Sequence, residues 1–341
     1  MDFPRERTHV TEKNLDVLAI GNAIVDVIAA ADEGFLGQEG LDKGSMRLID
    51  AEEATRLYGK MGPGREISGG SAGNTAAGIA MLGGKAGFVG QVADDQLGEV
   101  YAHDVRSIGV EFTTPASPAA EMPTARSLVL VTPDAQRTMN TFLGAAQSLD
   151  TAKLDESQVR DAAILYLEGY LWDPETPRAA MERAIAVAHE AGRRVAFTLS
   201  DSFCVDRHRD GFNQLIDDKK VDILFANEAE IVSLTGEGDF DSAVASAAGR
   251  VPLLVVTRGE QGAIAVEGGQ RVDVAAEPVS QVIDTTGAGD LFAAGFLAGL
   301  AQERGLEQSL RMGAIAAAEV ISHYGARPEA DLKALVAEKL G

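Results

Sequence analysis

Cysteine is nearly absent from the sequence, because Cys204 is the only one in 341 residues. One thiol allows no internal disulfide bond, and a chain without disulfides fits a reducing compartment. We therefore expect a cytoplasmic protein. Cys204 follows Phe203, and we interpret it as a small core residue rather than a reactive thiol.

Basic residues are also scarce: 30 Lys and Arg stand against 52 Asp and Glu, which gives a formal net charge of −22. Such a surface repels nucleic acids and anionic membranes, so we exclude both as partners. No run is long and apolar enough to span a bilayer. Residues 1–14 are polar and lack a hydrophobic signal core, so we expect a flexible N-terminal tail.

Three familiar site patterns are missing as well. The five histidines are scattered and share no metal-ligand spacing, which excludes a zinc site. The glycine-rich stretches match neither the dinucleotide pattern G-x-G-x-x-G nor the P-loop pattern G-x-x-x-x-G-K-[ST]. A conventional dehydrogenase or P-loop ATPase is therefore not expected.

The patterns that are present indicate an α/β protein. Apolar β-type runs alternate with helical patterns, and many of the runs are continuously apolar, as in strands covered by helices on both faces. The predicted strands are 15–20, 86–92, 164–167, 194–199, 223–226, 253–257 and 263–266. The predicted helices are 71–82, 97–108, 177–191, 229–234, 240–249, 291–304, 306–321 and 328–339. This order predicts a doubly wound, mostly parallel central sheet with helices on both faces.

Two segments interrupt the alternation. Residues 23–49 and 112–142 contain short alternating stretches that are too brief for βαβ units. We interpret them as antiparallel strands that project from the main sheet and form a small β lid. Ligands of open α/β sheets bind beyond the carboxyl ends of the strands, where such a lid closes over a site. The main domain is expected over 15–327, followed by a C-terminal helix over 328–341.

The stretch Asp284-Thr285-Thr286-Gly287-Ala288-Gly289-Asp290 lies between a β-type run at 279–283 and the helix at 291–304. Two glycines at a helix start let backbone amides approach an anion, and helix N-termini favour phosphate. A carboxylate beside such a cradle suits phosphoryl transfer, because it accepts the proton of the attacking hydroxyl. The alternative is an ordinary helix cap, since Asp and Gly both favour that position.

Further polar residues follow strand ends and helix starts. Gly69-Gly70-Ser71-Ala72-Gly73-Asn74 opens a helix, where Ser71 either contacts a ligand or only caps the helix. Asp26 follows the first strand and is either a surface carboxylate or an acceptor for two hydroxyl groups. Asn227 and Glu230 lie one helical turn apart and either form a capping box or order water around Mg2+. The segment 257–262 is either a hairpin turn or a loop that admits a nucleotide.

Together these elements resemble the ribokinase-like (PfkB) family of sugar and nucleoside kinases. Residues 69–98 are similar to the first signature of that family, and residues 284–299, DTTGAGDLFAAGFLAG, are similar to the second. With Asn227, Glu230, Thr257, Gly259 and Gly262, the similarity extends over about residues 15–327. The resemblance favours the functional alternative at each of these positions.

The resemblance implies a chemistry and roles for individual residues. ATP with Mg2+ would donate its γ-phosphoryl group to a hydroxymethyl group, with Asp290 as the base. Gly287, Ala288 and Gly289 would form the anion hole, and Arg137, in a lid strand, would reach the phosphates. By the same resemblance, the acceptor is held by Asn22, Asp26, Gly70, Ser71 and Asn74. ATP is held by Asn227, Thr257, Gly259, Gly262 and Gly325. The metals are Mg2+, held through water by Glu230 and Asn227, and, as in some members of the family, a monovalent cation such as K+, held by Asp284 and Thr286.

Within the family, the sequence is similar to the adenosine kinase branch. Gly21-Asn22-x-x-x-Asp26, Tyr166-Leu-Glu-Gly-Tyr170 and the run 199–205, LSDSFCV, carry this similarity. Tyr170 would stack on a purine, with Ile24 and Leu143 as apolar walls. Ala72 and Gly73 depart from the polar pair of the eukaryotic enzymes.

We therefore expect an ATP-dependent kinase that phosphorylates the 5′-hydroxyl of a nucleoside, most of all adenosine. A kinase of the same fold for ribose, fructose or another nucleoside is the alternative. A silent binding or regulatory protein is disfavoured by the intact Asp290. The family allows a monomer or a homodimer.

Overall fold

The structure, a computed structural model, describes residues 14–134 and 136–341. The predicted tail therefore lies outside the described residues, apart from Asn14. Within them the strands are β1 Leu15–Ile20, β2 Ile24–Ala30, β3 Met46–Leu48, β4 Gly64–Gly69, β5 Ala86–Val89, β6 Ala125–Val131, β7 Arg137–Phe142, β8 Ala162–Glu168, β9 Arg194–Thr198, β10 Ile223–Asn227, β11 Leu253–Thr257, β12 Ala263–Glu267 and β13 Gln270–Val274.

The helices of the described residues cover every segment that the sequence predicts as helical, with ends that differ by a few residues. They are α1 Glu33–Glu39, α2 Ala51–Tyr58, α3 Ser71–Met81, α4 Gln96–Ser107, α5 Glu156–Asp161, α6 Glu175–Glu190, α7 Ser202–Asp217, α8 Glu228–Thr235, α9 Phe240–Ala248, α10 Ala288–Ala301, α11 Gly305–Val320 and α12 Leu332–Leu340. The C-terminal helix begins later than predicted, because Asp331 is its N-cap and accepts a hydrogen bond from the amide of Ala334.

The central sheet has eight strands in the order β13-β12-β11-β10-β9-β8-β1-β5. All pairings from β5 to β11 are parallel, and β12 and β13 add an antiparallel edge. The predicted doubly wound, mostly parallel sheet is confirmed. Strand β13 was not predicted, because its side chains are largely exposed and its sequence, QRVDV, is mostly polar.

Neighbouring residues of each central strand face opposite layers of helices. On β1, Val17 and Ala19 pack into a core that includes residues of α3, α10 and α11. Leu18 and Ile20 pack into a second core that includes residues of α6 and α7. Burial on both faces explains why these strands are continuously apolar. Cys204 is a buried residue of the second core, as predicted.

A second sheet of five strands, in the order β3-β7-β6-β2-β4, corresponds to the predicted lid. Two of its pairings, β2 with β6 and β3 with β7, are parallel, so the prediction of a purely antiparallel lid is wrong. Strand β4 lies outside the predicted lid segments, and helices α1 and α2 occur among the lid strands. The parallel pairings arise because α1, α2 and longer connections separate the paired strands in sequence.

Two other local predictions are wrong. Residues 279–283 form no strand: Ile283 donates a backbone hydrogen bond of 2.8 Å to Ile321, and the side chain of Val282 is exposed. Helix α7 was not predicted, because only one side of it is apolar and polar residues dominate its sequence. No helix in the described part of the chain combines the length and the apolar composition that crossing a membrane requires.

Candidate active site

A cavity of 430 Å³ lies where the lid sheet meets the carboxyl ends of the central strands and the start of α10. Its position agrees with the rule for open α/β sheets. Fourteen of the predicted site residues line it: Ile24, Asp26, Gly70, Ser71, Asn74, Tyr170, Asn227, Glu230, Thr257, Thr286, Gly287, Ala288, Gly289 and Asp290.

Asp290, in the first turn of α10, is fixed by two side chains of α3. Ser71 Oγ donates a hydrogen bond of 2.6 Å to one carboxylate oxygen, and Asn74 Nδ2 donates one of 2.9 Å to the other. The residue at the N-cap of α3 is Gly70, and no side chain caps this helix, so Ser71 has no capping role. Burial raises the pKa of Asp290, while Ser71, Asn74 and the charge of Arg327 oppose the rise.

The start of α10 has the properties of an anion site. Gly287 is the N-cap with a φ of 80°, and no side chain caps the helix amides. A β-carbon at Gly287 would lie 2.7 Å from Cβ of Ala326, so only glycine fits there. Gly289 has open space where a β-carbon would lie. Uncapped amides at a helix N-terminus that faces a cavity suit a phosphate group.

Asp26 faces the same cavity from the lid strand β2. Burial raises the pKa of Asp26 to about 6, although Arg137 and Arg327 lower it. Gly70 approaches the turn before β2 so closely that a β-carbon would lie 2.1 Å from the carbonyl oxygen of Asn22. The positive φ of Gly70, 82°, and this contact explain the glycine.

Glu168, at the end of β8, was not predicted as a site residue. Its carboxylate accepts hydrogen bonds of 2.7 Å from the amide and the side chain of Asn22 and from the amide of Ala72. It therefore joins the turn before β2 to the start of α3. Burial raises the pKa of Glu168 to about 7 despite these donors. An acidic residue at the end of an otherwise apolar strand was the available signal.

Asn227 and Glu230 form the capping box of α8, which is the structural alternative left open by the sequence. Both also line the cavity, and burial raises the pKa of Glu230 to about 7. The described residues contain no cluster of three or more acidic, His or Cys side chains suited to a metal ion. The carboxylate of Glu230 and the amide oxygen of Asn227 are the kinds of group that fit the water shell of a Mg2+ ion bound to phosphates.

Asp284 binds the lid instead of lining the cavity. Its carboxylate accepts hydrogen bonds from the amide and hydroxyl of Thr286, from the amide of Gly325 and from the guanidinium of Arg137. Burial raises the pKa of Asp284, but these donors outweigh burial and the pKa is lowered. Arg137 belongs to β7, so the ion pair joins the lid sheet to the segment that precedes α10.

Tyr170 also lines the cavity. Its hydroxyl donates a hydrogen bond of 3.3 Å to the carbonyl oxygen of Ser200, and its amide donates one of 3.2 Å to Ser200 Oγ. Ser200 has a φ of 75°, which is uncommon for a residue with a side chain. The cavity wall also contains residues that were not predicted: Ser127, Met139, Thr141, Thr198, Ser200, Phe225, Ala226, Thr285 and Phe292.

Several predicted residues lie outside the cavity wall: Asn22, Arg137, Leu143, Gly259, Gly262, Asp284 and Gly325. Asn22 contributes through its bonds to Glu168. Gly259 and Gly262 belong to the connection between the antiparallel strands β11 and β12, which is the hairpin alternative. A β-carbon at Gly262 would lie 2.0 Å from the carbonyl oxygen of Val274, so packing against β13 explains this glycine.

Comparison with known proteins places this site in a family context. A model of the pfkB family of carbohydrate kinases matches residues 42–332. A fructokinase from Klebsiella pneumoniae is 31% identical over 248 residues, which are 70% of this chain and 80% of the relative.

Two solved structures are more similar. One is described as an adenosine kinase from Sinorhizobium meliloti, with 48% identity, a TM-score of 0.88 and coverage of 95% of this chain and 99% of that one. The other is described as a probable sugar kinase from Rhizobium etli, with 47% identity, a TM-score of 0.89 and coverage of 96% and 99%.

Proposed function

The chain belongs to the pfkB family of carbohydrate kinases, and on that premise we propose that it transfers the γ-phosphoryl group of ATP to the 5′-hydroxyl of adenosine. The observation that carries this proposal is the Asp290 carboxylate, held by Ser71 and Asn74 at the mouth of an uncapped helix start. A base and an anion cradle thus face one cavity.

Asp290 would act on the acceptor hydroxyl. The hydroxyl oxygen forms the new bond to the γ-phosphorus, the bond from this phosphorus to ADP breaks, and the hydroxyl proton moves to Asp290. Burial raises the pKa of Asp290, which makes the carboxylate a stronger base than a solvated aspartate. The hydrogen bonds from Ser71 and Asn74 fix its orientation.

The start of α10 would stabilise the phosphoryl group in transfer. The amides of Ala288 and Gly289 lie in the first turn after Gly287, and no side chain caps this helix start. The Ala288 amide donates a backbone hydrogen bond of 3.2 Å to Thr285, which it would exchange for a phosphoryl oxygen. Fixed amide dipoles in an enclosed site need no reorganisation when charge develops on the phosphoryl oxygens. Bound Mg2+ would neutralise charge on the phosphates, and Glu230 and Asn227 are the residues that we assign to its water shell.

Asp26 and Asn74 would bind the sugar hydroxyls. Oδ1 of Asn74 is buried and has no hydrogen-bond partner. The Asp26 carboxylate also faces the cavity, and it accepts hydrogen bonds without donating any when ionised. Two acceptors without protein donors require a ligand that donates, and the two hydroxyl groups of a ribose match that need. Both a nucleoside and a free sugar meet this condition.

The apolar part of the cavity lining favours a nucleoside over a free sugar. Tyr170 is fixed by Ser200, and Ile24 and Phe225 also line the cavity. An aromatic ring and apolar side chains in the same cavity as the hydroxyl-binding groups suit a purine base. The similarity to the Sinorhizobium meliloti adenosine kinase supports the same choice. The fructokinase relative supports the alternative, a sugar acceptor.

A coupled assay of ADP release tests the proposal with adenosine, inosine, guanosine, ribose and fructose as acceptors. We expect the highest kcat/KM with adenosine. The compound 5′-deoxyadenosine lacks the acceptor hydroxyl and is expected to inhibit competitively without turnover. Asp290→Asn should lower kcat by about 10² to 10⁴ and leave the affinity for adenosine nearly unchanged. Faster turnover of ribose or fructose than of adenosine would overturn the assignment of the acceptor.

A further inference from the structure

Arg327 lies outside the cavity wall and is hydrogen-bonded to the helix that carries Ser71 and Asn74. It lies in the segment between α11 and α12, and its guanidinium donates hydrogen bonds to backbone carbonyl groups before and within the start of α3. Nη1 donates a hydrogen bond of 3.0 Å to the carbonyl oxygen of Gly73, which lies between Ser71 and Asn74. Nε and Nη2 donate bonds of 3.1 and 2.9 Å to the carbonyl oxygen of Ser68.

These bonds join three parts of the molecule. Ser68 belongs to the lid strand β4, Gly73 belongs to α3, and Arg327 follows helix α11. Ser68 Oγ accepts a further bond of 2.8 Å from Nη2 of Arg327 and donates one of 2.5 Å to Asp104. Arg327 therefore joins the turn of α3 that carries Ser71 and Asn74 to strand β4 of the lid sheet.

The charge of Arg327 is the second relevant property. The oxygens that accept its hydrogen bonds are neutral, and Asp104 is separated from it by Ser68. Arg327, Asp26 and Asn74 are among the residues that line a small cavity of 70 Å³. The guanidinium lowers the pKa of Asp26 and also opposes the rise in the pKa of Asp290.

Other groups act on the same two carboxylates. Arg137, on β7, also lowers the pKa of Asp26, but Arg137 forms an ion pair with Asp284. Asp26 and Asp290 repel each other. The other titratable groups with electrostatic interactions in this region are acidic or phenolic: Tyr101, Asp104, Tyr166, Glu168 and Tyr170. Arg65 and Glu329 also line the small cavity, but both are exposed to solvent, which screens their charges. Arg327 is the half-buried cation of this cavity, and its hydrogen bonds go to neutral oxygens.

We propose that Arg327 is the positioning residue of the acceptor site: it fixes the turn of α3 that holds Asp290 and supplies the positive charge that keeps Asp26 and Asp290 ionised together. The proposal rests on the proposed kinase function, because both carboxylates have a role only in that reaction. Two anionic groups in one enclosed cavity need a nearby cation, since otherwise one of them takes up a proton.

The test separates charge from geometry with two variants. Arg327→Gln removes the charge. Arg327→Lys keeps the charge but cannot make the set of hydrogen bonds that joins Ser68 to Gly73. In Arg327→Gln we expect the acidic limb of the pH profile of kcat/KM to move to higher pH by about one unit, with activity recovering above pH 8. In Arg327→Lys we expect an unmoved acidic limb and a higher KM for the acceptor. Arg65 lines the same small cavity but is exposed, so Arg65→Gln is the matched control and should behave like the wild type.

A measurement without turnover distinguishes a failure of this proposal from a failure of the proposed function. Asp side chains labelled with 13C at the carboxyl carbon are titrated by NMR in the free protein, with Asp26→Asn and Asp290→Asn to assign the signals. We expect Arg327→Gln to raise the midpoints of both carboxylates, and Arg327→Lys to leave them near the wild-type values. Unchanged midpoints in a folded Arg327→Gln protein would overturn the role of Arg327, whichever acceptor the enzyme uses.

Discussion

Ser71 and Asp290 lie 219 positions apart in sequence and are joined by a hydrogen bond of 2.6 Å. The bond connects the first turn of α3 with the first turn of α10, so two helix starts meet at one carboxylate. Thr75 strengthens the connection, because its hydroxyl donates a bond of 3.2 Å to the backbone oxygen of Asp290. The proposed base is therefore held by α3, the helix whose first turn is also assigned to acceptor binding.

Removal of the Ser71 hydroxyl should slow the chemical step. In Ser71→Ala, Asp290 loses a donor that lowers its pKa and fixes one of its oxygens. We expect kcat to fall by about tenfold to a hundredfold. The acidic limb of the pH profile should move to higher pH, because the carboxylate is then less stabilised. Steady-state kinetics between pH 5 and 9 measure both effects.

Ser148→Ala is the control for this substitution, since the exposed Ser148 hydroxyl bonds only the carbonyl oxygen of Ala145. A Ser71→Ala enzyme with wild-type kcat and an unshifted profile would show that this hydrogen bond does not support the base.

Asp26 should determine acceptor affinity more than rate. Asp26→Asn keeps the shape of the side chain but loses the anionic acceptor for the ribose hydroxyls. We expect KM for adenosine to rise by about tenfold to a hundredfold, which corresponds to about 1.5 to 3 kcal/mol for hydrogen bonds to a charged group. The effect on kcat should be several times smaller. A titration of the protein with adenosine, without ATP, measures the affinity directly.

Nucleosides without one hydroxyl provide the matched comparison. If Asp26 binds the diol, Asp26→Asn should weaken the binding of 2′-deoxyadenosine and 3′-deoxyadenosine less than the binding of adenosine, because each of these nucleosides already lacks one of the two hydroxyl groups. An equal loss for all three nucleosides would assign Asp26 to a different part of the acceptor.

The sequence predicts the parts of the site that come from local motifs. The glycine-rich helix start allowed either an anion site or a helix cap, and the resemblance to the kinase family selected Gly287, Gly289 and Asp290 as site residues. Ser71 and Asn74 were found in the same way at the start of α3. All of them line the cavity. The parallel sheet was predictable because burial on both faces makes the strands continuously apolar.

Other features depend on contacts between distant segments, and no local pattern indicates them. Arg327 lies in an ordinary Gly-Ala-Arg-Pro segment, and its role appears only where it meets Ser68 and Gly73. The parallel strand pairs of the lid depend on which strands become neighbours after folding. Helix α7 combines polar residues with a kink at His208, where φ is −120°, and this weakens the helical pattern of its sequence.

The stability of the protein should decrease as the pH rises from about 5 to about 7. Burial raises the pKa of Glu168 from 4.5 to about 7, so the folded state binds this proton more tightly than the unfolded chain does. The stabilisation is complete below the unfolded pKa and is lost as the pH rises through the folded value. Asp26 and Glu230 have raised pKa values and act in the same direction.

Glu168→Gln tests this linkage, because glutamine stays neutral at every pH. We expect the difference in unfolding free energy between pH 5 and 7.5 to shrink by on the order of 3 kcal/mol relative to the wild type. Urea denaturation at both pH values measures it. The exposed Glu307→Gln is the control and should keep the wild-type pH dependence. A Glu168→Gln protein with the wild-type dependence would refute the shift.

Arg137 should make the reaction insensitive to potassium. Asp284 and Thr286 are the residues that the resemblance assigns to a monovalent cation, but the guanidinium of Arg137 binds Asp284 and lies 3.2 Å from Thr286 Oγ1. We expect less than a twofold change in kcat/KM when tetramethylammonium replaces K+. The Arg137→Ala enzyme should be less active than the wild type, and its activity should depend on K+, because Asp284 then lacks a cation.

Arg126→Ala, on the neighbouring lid strand, is the control and should stay insensitive to K+. A wild-type enzyme that loses most of its activity without K+ would show that the cation binds despite the ion pair.

Competition between acceptors tests the central claim most directly. Equal concentrations of adenosine, inosine, cytidine, ribose and fructose are mixed with limiting ATP and the wild-type protein, and mass spectrometry identifies the phosphorylated products. The ratio of products then gives the ratio of kcat/KM values. The proposed function predicts that AMP is the main product and that Asp290→Asn forms almost none. A sugar phosphate as the main product, or AMP formation at the wild-type rate by Asp290→Asn, would contradict it.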